Sequence, residues 1–277
     1  MVKMGTVWDR TVEVLNGRTG MIAPIAVLGI LLPSVVRDGF VAFSAPGTVT
    51  FALVGGVLTI VALVAMIWAQ LAIVAIATDP ATDAPAARRQ ASARVWPALG
   101  ITVILMIVAL LFVVPPIVVL MSSSGTVPYV RFSAVGSAML RAAPTQGGAA
   151  QFAIVYFLAF TLALLWISAR LVLLNPVVLN ERLGLGAIRR SVRLTKGLTW
   201  RIIGVMILFA IVMLVSTWAA QAVTGILFRL ALGADGVATA TFLSGIAATI
   251  VTTAFTALAA VFTAQLYVAV REKSVTP

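Results

Sequence analysis

The chain contains neither cysteine nor histidine. The first absence excludes disulfides, thiolate metal sites and cysteine nucleophiles. The second removes the commonest general base and the commonest metal ligand. Charge is scarce too: Asp, Glu, Lys and Arg make up 10% of the 277 residues, and acidic residues number only 8. A soluble domain carries roughly 25% charged residues. What fills the sequence instead is apolar, with 62% hydrophobic residues and a mean hydropathy of +1.14. A soluble fold of this length has no way to cover so much apolar surface, so the solvent for most of the chain is lipid. That balance excludes a soluble enzyme and a nucleic-acid-binding module. The net charge of +11 then points to membrane topology and anionic lipid rather than to DNA.

Six charge-free stretches are long enough to cross a hydrocarbon core, which takes about 20 apolar residues. The first, Gly20–Val36, is short and continues past Arg37–Asp38 into Phe40–Phe43. The others are Val49–Ala77, Val95–Leu120, Ala149–Ala169, Ile202–Phe228 and Val237–Val270. Pro24, Pro33, Pro115 and Pro116 lie inside spans, where neighbouring helices can satisfy the freed carbonyls. The leader Met1–Arg18 is longer and more patterned than that of a signal peptide, so the first span is expected to stay in the protein.

Six spans put both termini on one side. Of the 19 Lys and Arg, only Arg37, Arg131, Arg141 and Arg229 fall in one set of loops, and Arg170 lies inside the fourth span. All the others, from Lys3 to Lys273, share the opposite set. The positive-inside rule makes that set, and both termini, cytoplasmic in a bacterial inner membrane. No alternating strand pattern supports an outer-membrane barrel.

The loops before the odd-numbered spans resemble one another. Thr11-Val12-Glu13-Val14-Leu15-Asn16-Gly17 aligns with Ser191-Val192-Arg193-Leu194-Thr195-Lys196-Gly197, and Arg88-Arg89 with Trp96 sits like Arg189-Arg190 with Trp200. The even-numbered spans close on Ala69-Gln70-Leu71, Ala169-Arg170-Leu171 and Ala264-Gln265-Leu266. Three copies of one unit describe this pattern, each a basic amphipathic helix on the cytoplasmic face followed by a transmembrane hairpin. The amphipathic segments are Val7–Asn16, Ala86–Val95 and Leu185–Thr195. In the last, Leu185, Ile188, Val192 and Thr195 share a face while Arg189, Arg190, Arg193 and Lys196 occupy the rest, as suits a helix lying beside anionic head groups; a plain positive-inside loop is the simpler alternative. The expected fold is an all-α integral membrane protein of six transmembrane helices, one domain over residues 1–277. Its repeats cover about 5–77, 84–180 and 183–271.

The run Ala169-Arg170-Leu171, Asn175-Pro176, Glu181-Arg182-Leu183-Gly184, Arg189-Arg190-Ser191-Val192-Arg193-Leu194-Thr195-Lys196-Gly197 and Trp200-Arg201 resembles the bacterial family called the membrane domain of glycerophosphoryl diester phosphodiesterase. The six-span layout and the closing Leu266-Tyr267 with Arg271 fit it as well. In fused members of that family the phosphodiesterase chemistry belongs to a separate soluble barrel with carboxylates, histidines and a divalent metal. This chain has no such barrel, so the resemblance implies a stand-alone membrane domain and transfers no catalytic residue.

Among the polar residues, Arg170 is the costliest, because a charge at a helix centre is unfavourable by ~2.5–3.5 kcal/mol on insertion scales. One reading has it snorkelling to head groups or pairing with Glu181 or with a carbonyl loosened near Pro176. The sharper reading brings Gln70, Arg170 and Gln265 together around a lipid phosphate, for which the guanidinium fork is suited. Arg37–Asp38 and Arg229–Asp235 mark the outer interface, and Asp79 and Asp83 flank Pro80 as cap residues. Gly236, Ala240, Ser244, Ala248, Thr252, Thr256, Ala260 and Ala264 form a ridge of small residues that admits a close helix neighbour. No carboxylate pair is placed for acid–base work. The expected function is non-enzymatic, without cofactor or metal: an inner-membrane protein that organises or binds lipid, anionic on the cytoplasmic face, or an unknown partner protein. Its head-group contacts would be Gln70, Arg170, Gln265, Arg189, Arg190, Arg193 and Lys196. The alternative is a transporter or channel for a lipid or small amphiphile.

Overall fold

The computed structural model describes residues 3–124, 149–181, 186–233 and 236–275. Arg131, Arg141, Arg182, Leu183, Gly184, Leu185 and Asp235, which figure in the sequence reading, lie outside the described residues. Among the described residues there is no strand. The helices are α1 (Met4–Ala26), a π-helical segment (Val27–Leu31), α2 (Leu32–Phe43), α3 (Val49–Thr78), α4 (Ala84–Ser124), α5 (Ala149–Leu171), α6 (Leu174–Glu181), α7 (Gly186–Leu194), α8 (Thr199–Leu232) and α9 (Val237–Val275). Six stretches are long and apolar enough to cross a membrane: Met4–Phe43, Val49–Thr78, Ala84–Pro116, Ile154–Glu181, Thr199–Leu232 and Val237–Lys273. They correspond to the six stretches expected from the sequence.

Local chemistry explains the boundaries. Thr48 caps α3, its hydroxyl accepting from the Phe51 N–H at 3.1 Å. Asp83 opens α4 by accepting from the Ala86 N–H at 2.8 Å, and Asp79 holds the preceding turn by accepting from the Ala81 N–H at 2.9 Å. Gly197 and Gly233 take positive φ (85° and 67°) where α7 gives way to α8 and where α8 stops. Pro24 and Pro33 lack the N–H that would bond the carbonyls of Gly20 and Gly29, so the helix between them widens. There the Leu32 N–H reaches back five residues to the Val27 carbonyl.

The basic amphipathic segments differ in one respect from the sequence expectation. The first and second are not separate helices but the opening turns of α1 and α4. Only the third stands alone, as α7, because Gly197 breaks the helix before α8 begins. Each segment buries residues four apart: Val7 and Thr11, then Ala87, Ala91 and Val95, then Ala187, Ser191 and Thr195. In α7 the inward stripe is therefore small and hydroxyl-bearing, while Ile188 and Val192 are only half-buried.

The chain forms two compact units, residues 1–99 with 170–277, and residues 100–169. In the first unit α9 packs against α8, α3, α1 and α2, and α3 also meets α1, α2 and α6. None of the eight small residues of the α9 ridge is exposed, and Ala240, Ser244, Ala260 and Ala264 are buried. A Cβ placed on Gly225 of α8 would lie 3.6 Å from the Ser244 Cβ, an ordinary contact across the α8–α9 seam. The closest crossing is elsewhere. A Cβ on Gly29 would lie 2.5 Å from the Ala69 Cβ and 3.1 Å from the Ala65 carbonyl oxygen, so only glycine lets the π segment meet α3. In the second unit the Phe112 and Phe160 rings stack at 6.1 Å, and the Tyr156 hydroxyl donates to the Phe112 carbonyl at 2.8 Å.

Candidate functional site

The polar side chains of the first unit collect around the C-terminal end of α3, where Leu71 to Ala77 are buried. A helix end leaves its last carbonyls without intrahelical partners. Here they are met from other helices. Arg18 of α1 donates to the carbonyls of Ile76 (2.7 Å), Asp79 (3.2 Å) and Pro80. Gln265 of α9 donates through Nε2 to the Ala77 carbonyl at 2.6 Å, in a buried position. Two turns earlier, the Gln70 amide oxygen accepts from Asn175 of α6 at 3.1 Å. The Trp68 indole N–H donates to the Ser92 hydroxyl of α4 at 3.1 Å. A cation at a helix C-terminus also complements the macrodipole, which favours the Arg18 placement further.

A second polar group lies beside it. The Glu181 carboxylate accepts from Arg190 Nε at 2.8 Å on one oxygen and from the Tyr267 hydroxyl at 3.1 Å on the other. The side chains of Arg190 and Glu181 are 27% and 22% exposed. This ties α7 to α6 and to α9. The Ser191 hydroxyl donates to the Arg170 carbonyl at 2.8 Å and so fastens α7 to the end of α5, while the Thr195 hydroxyl, 3.3 Å from the same carbonyl, has the Ser191 carbonyl as its nearer acceptor at 3.0 Å.

Gln70 and Gln265 both serve α3, but through different partners about 10 Å apart along its axis, at 1.5 Å per residue. Arg170 is half-buried in the last turn of α5. Arg190 is committed to Glu181, whereas Arg189, Arg193 and Lys196 are exposed. Trp200, at the start of α8, is 81% exposed beside them, and Arg201 is exposed too. Arg18 was not legible as a functional residue, since in sequence it is one more cation of the basic loops. Chemically, the α3 end is a closed set of donors matched to acceptors, while the α7 face offers cations to a ligand. Among the described residues no three His, Cys, Asp or Glu side chains gather as a metal site would need.

These features define an all-helical protein that has, among the described residues, six helices apolar enough to cross a membrane and a cationic face on a short, anchored helix. No protein-family model, no curated protein and no solved structure matches the chain. The resemblance to the phosphodiesterase membrane-domain family therefore stands on the quoted residues alone.

Proposed function

We propose that the chain is a non-enzymatic, multi-pass inner-membrane protein, related to the phosphodiesterase membrane-domain family, whose basic end faces the cytoplasm and organises anionic lipid. The observation that carries this reading is the exposed set Arg189, Arg193, Lys196 and Trp200 on and after a helix fixed by the Ser191 hydroxyl on the Arg170 carbonyl and by the Arg190–Glu181 pair. A fixed helix presents its cations without further ordering cost, and each Lys or Arg near an anionic leaflet is worth about 1 kcal/mol. An exposed indole at the same level suits the interfacial belt where Trp concentrates.

Burial supports the threefold repeat as well. Thr11 and Ser191, aligned by sequence, are both fully buried, as are Val7 and Ala187 four residues earlier. Ala69, Ala169 and Ala264, which close the three hairpins, are 0% exposed.

The test replaces Arg189, Arg193 and Lys196 with Gln and leaves Arg190 in place to hold Glu181. Native mass spectrometry should show loss of co-purifying anionic lipid, with the same loss in wild type at high salt, because exposed charges are screened. Retention of the same anionic lipids by the triple variant would reduce these cations to topology determinants and remove the reading.

A further inference from the structure

At the end of the first unit away from the basic loops, α8 and α9 line a cleft of about 260 Å³ formed by Gln221, Ala222, Gly225, Ile226, Arg229, Thr241 and Ser244. Thr199 starts α8 near the basic face; at 1.5 Å per residue Gln221 lies about 33 Å along the axis and Arg229 about 45 Å. A hydrocarbon core is about 30 Å thick. The cleft therefore sits at head-group level on the opposite side of the membrane. Gln221 is exposed, yet it follows the apolar surface of Leu214, Val215 and Trp218. Among the described residues neither the Gln221 amide nor the Arg229 guanidinium has a hydrogen-bond or ion-pair partner.

The chemistry of the lining is asymmetric. Gln221 and Arg229 on α8 bring donors and a positive charge. On α9 the hydroxyl protons are already spent, Thr241 donating to the Val237 carbonyl at 2.8 Å and Ser244 to the Thr241 carbonyl at 2.9 Å. Those oxygens remain only as acceptors. An adjoining cleft of about 420 Å³ shares Thr241 and adds the Asp38 carboxylate, whose two contacts from Arg37 both fall on Oδ1. One side thus calls for an anion and the other for a hydrogen-bond donor. Below the cleft, Ile226, Trp218, Val215 and Ile211 make an exposed apolar stripe down α8, with Trp218 74% exposed. At about 260 Å³ the cleft is smaller than pockets for whole drug-sized ligands, roughly 300–1,000 Å³, and admits a head group with its chains left outside.

We propose that this cleft binds the head group of a phospholipid that carries both a phosphate and a primary ammonium. The phosphate meets Arg229 and Gln221, the ammonium meets the Thr241 oxygen and the Asp38 carboxylate, and an acyl chain follows the Ile226–Ile211 stripe. This inference rests on the reading of the six helices as membrane spans, but not on the cationic face of α7.

The full chain, purified in detergent, is titrated by native mass spectrometry with four probes. These are phosphatidylethanolamine, phosphatidylcholine with the same chains, diacylglycerol and soluble phosphoethanolamine. Phosphatidylethanolamine should bind at least about tenfold more tightly than diacylglycerol, as expected for a charge-assisted contact, and more tightly than phosphatidylcholine, which has no N–H to offer. The double variant Arg229→Gln with Gln221→Leu should lose that tenfold, whereas the triple α7 variant should keep it, so failure here and failure of the basic-face reading are separable. Asp38→Asn is an independent probe that keeps Arg229 and should erase the preference for ethanolamine over choline. Unchanged affinity in the double variant, or an unchanged preference in Asp38→Asn should the double variant not fold, overturns the site. Competition by soluble phosphoethanolamine at equal concentration overturns the lipid as its source.

Discussion

The two halves of α3 are both strongly apolar and have opposite surroundings. Val49, Leu53, Val57 and Ile60 are 60–75% exposed, while no residue from Leu71 to Ala77 exceeds 4%. In water such a difference would be reflected in hydrophobicity; in lipid both halves are solvated by apolar groups, so apolarity carries no information about burial. The halves are told apart by what reaches them. Only the C-terminal half receives polar side chains from α1, α4, α6 and α9, and only there does the backbone depend on other helices. The polar contacts of α3 are thus concentrated at its C-terminal end, while its N-terminal half meets α2 and otherwise keeps an exposed apolar face.

The largest effect should come from closing the space that permits this end to form. Gly29→Leu would force the π segment off α3; because even a Cβ there would lie 2.5 Å from the Ala69 Cβ, the cost should exceed the about 1–3 kcal/mol of ordinary overpacking. We expect loss of monodisperse protein on size-exclusion chromatography, with Gly29→Ala folded but melting well below wild type. Wild-type behaviour of Gly29→Leu would mean that the crossing is not close. Next comes the comparison itself: Ile73→Ala should destabilise by about 2–4 kcal/mol as a cavity in packed structure. Val57→Ala, on the lipid side, should stay within about 0.5 kcal/mol. Equal thermal shifts for the two in detergent would abolish the distinction between the halves.

Arg18→Met and Gln265→Leu sharpen the same contrast. Each strips a donor from carbonyls at the α3 end, and a buried acceptor left unpaired costs about 1–3 kcal/mol. Arg18 serves three carbonyls and should be the more damaging of the two, with amide exchange rising in the last turn of α3 rather than at Val49–Val61. The smallest effect should be at Arg10, whose 3.4 Å pair with Glu272 is exposed on both sides. Arg10→Gln should change the melting temperature by no more than about 0.5 kcal/mol would, since surface ion pairs contribute little.

The six long helices were legible because a charge-free run of such length has few other uses. The α9 ridge was legible for a related reason: small residues at every fourth position have meaning only against another helix, and none of the eight proved exposed. The Asp79 and Asp83 turn followed from side-chain chemistry within five residues. What escaped was every interaction that joins distant parts of the chain. Arg18 looks like a topology charge, and nothing near it in sequence marks the Ile76 carbonyl as its partner. Gly29 sits in an apolar run that says nothing of which helix will cross there. Thr195 reads as part of the apolar face of an interfacial helix, whereas its hydroxyl and that of Ser191 are buried, Ser191 donating to a carbonyl of α5 and Thr195 most closely to the Ser191 carbonyl. Local capping is encoded locally; long-range capping depends on a packing that periodicity does not specify.

The two clasps on the end of α3 also differ in when they become available. Arg18 precedes Ile76 by 58 residues, so its guanidinium has already been synthesised when α3 is finished. Gln265 follows Ala77 by 188 residues. At about 5–20 residues per second of synthesis, the Ala77 carbonyl waits roughly 10 to 40 s for its donor. During that interval Arg18 holds the last carbonyls of α3 without Gln265, and the seat later filled by α9 stands open in a half-made protein. The first clasp is a provisional fastening and the second a late closure, which makes this one helix end a clock for assembly of the bundle.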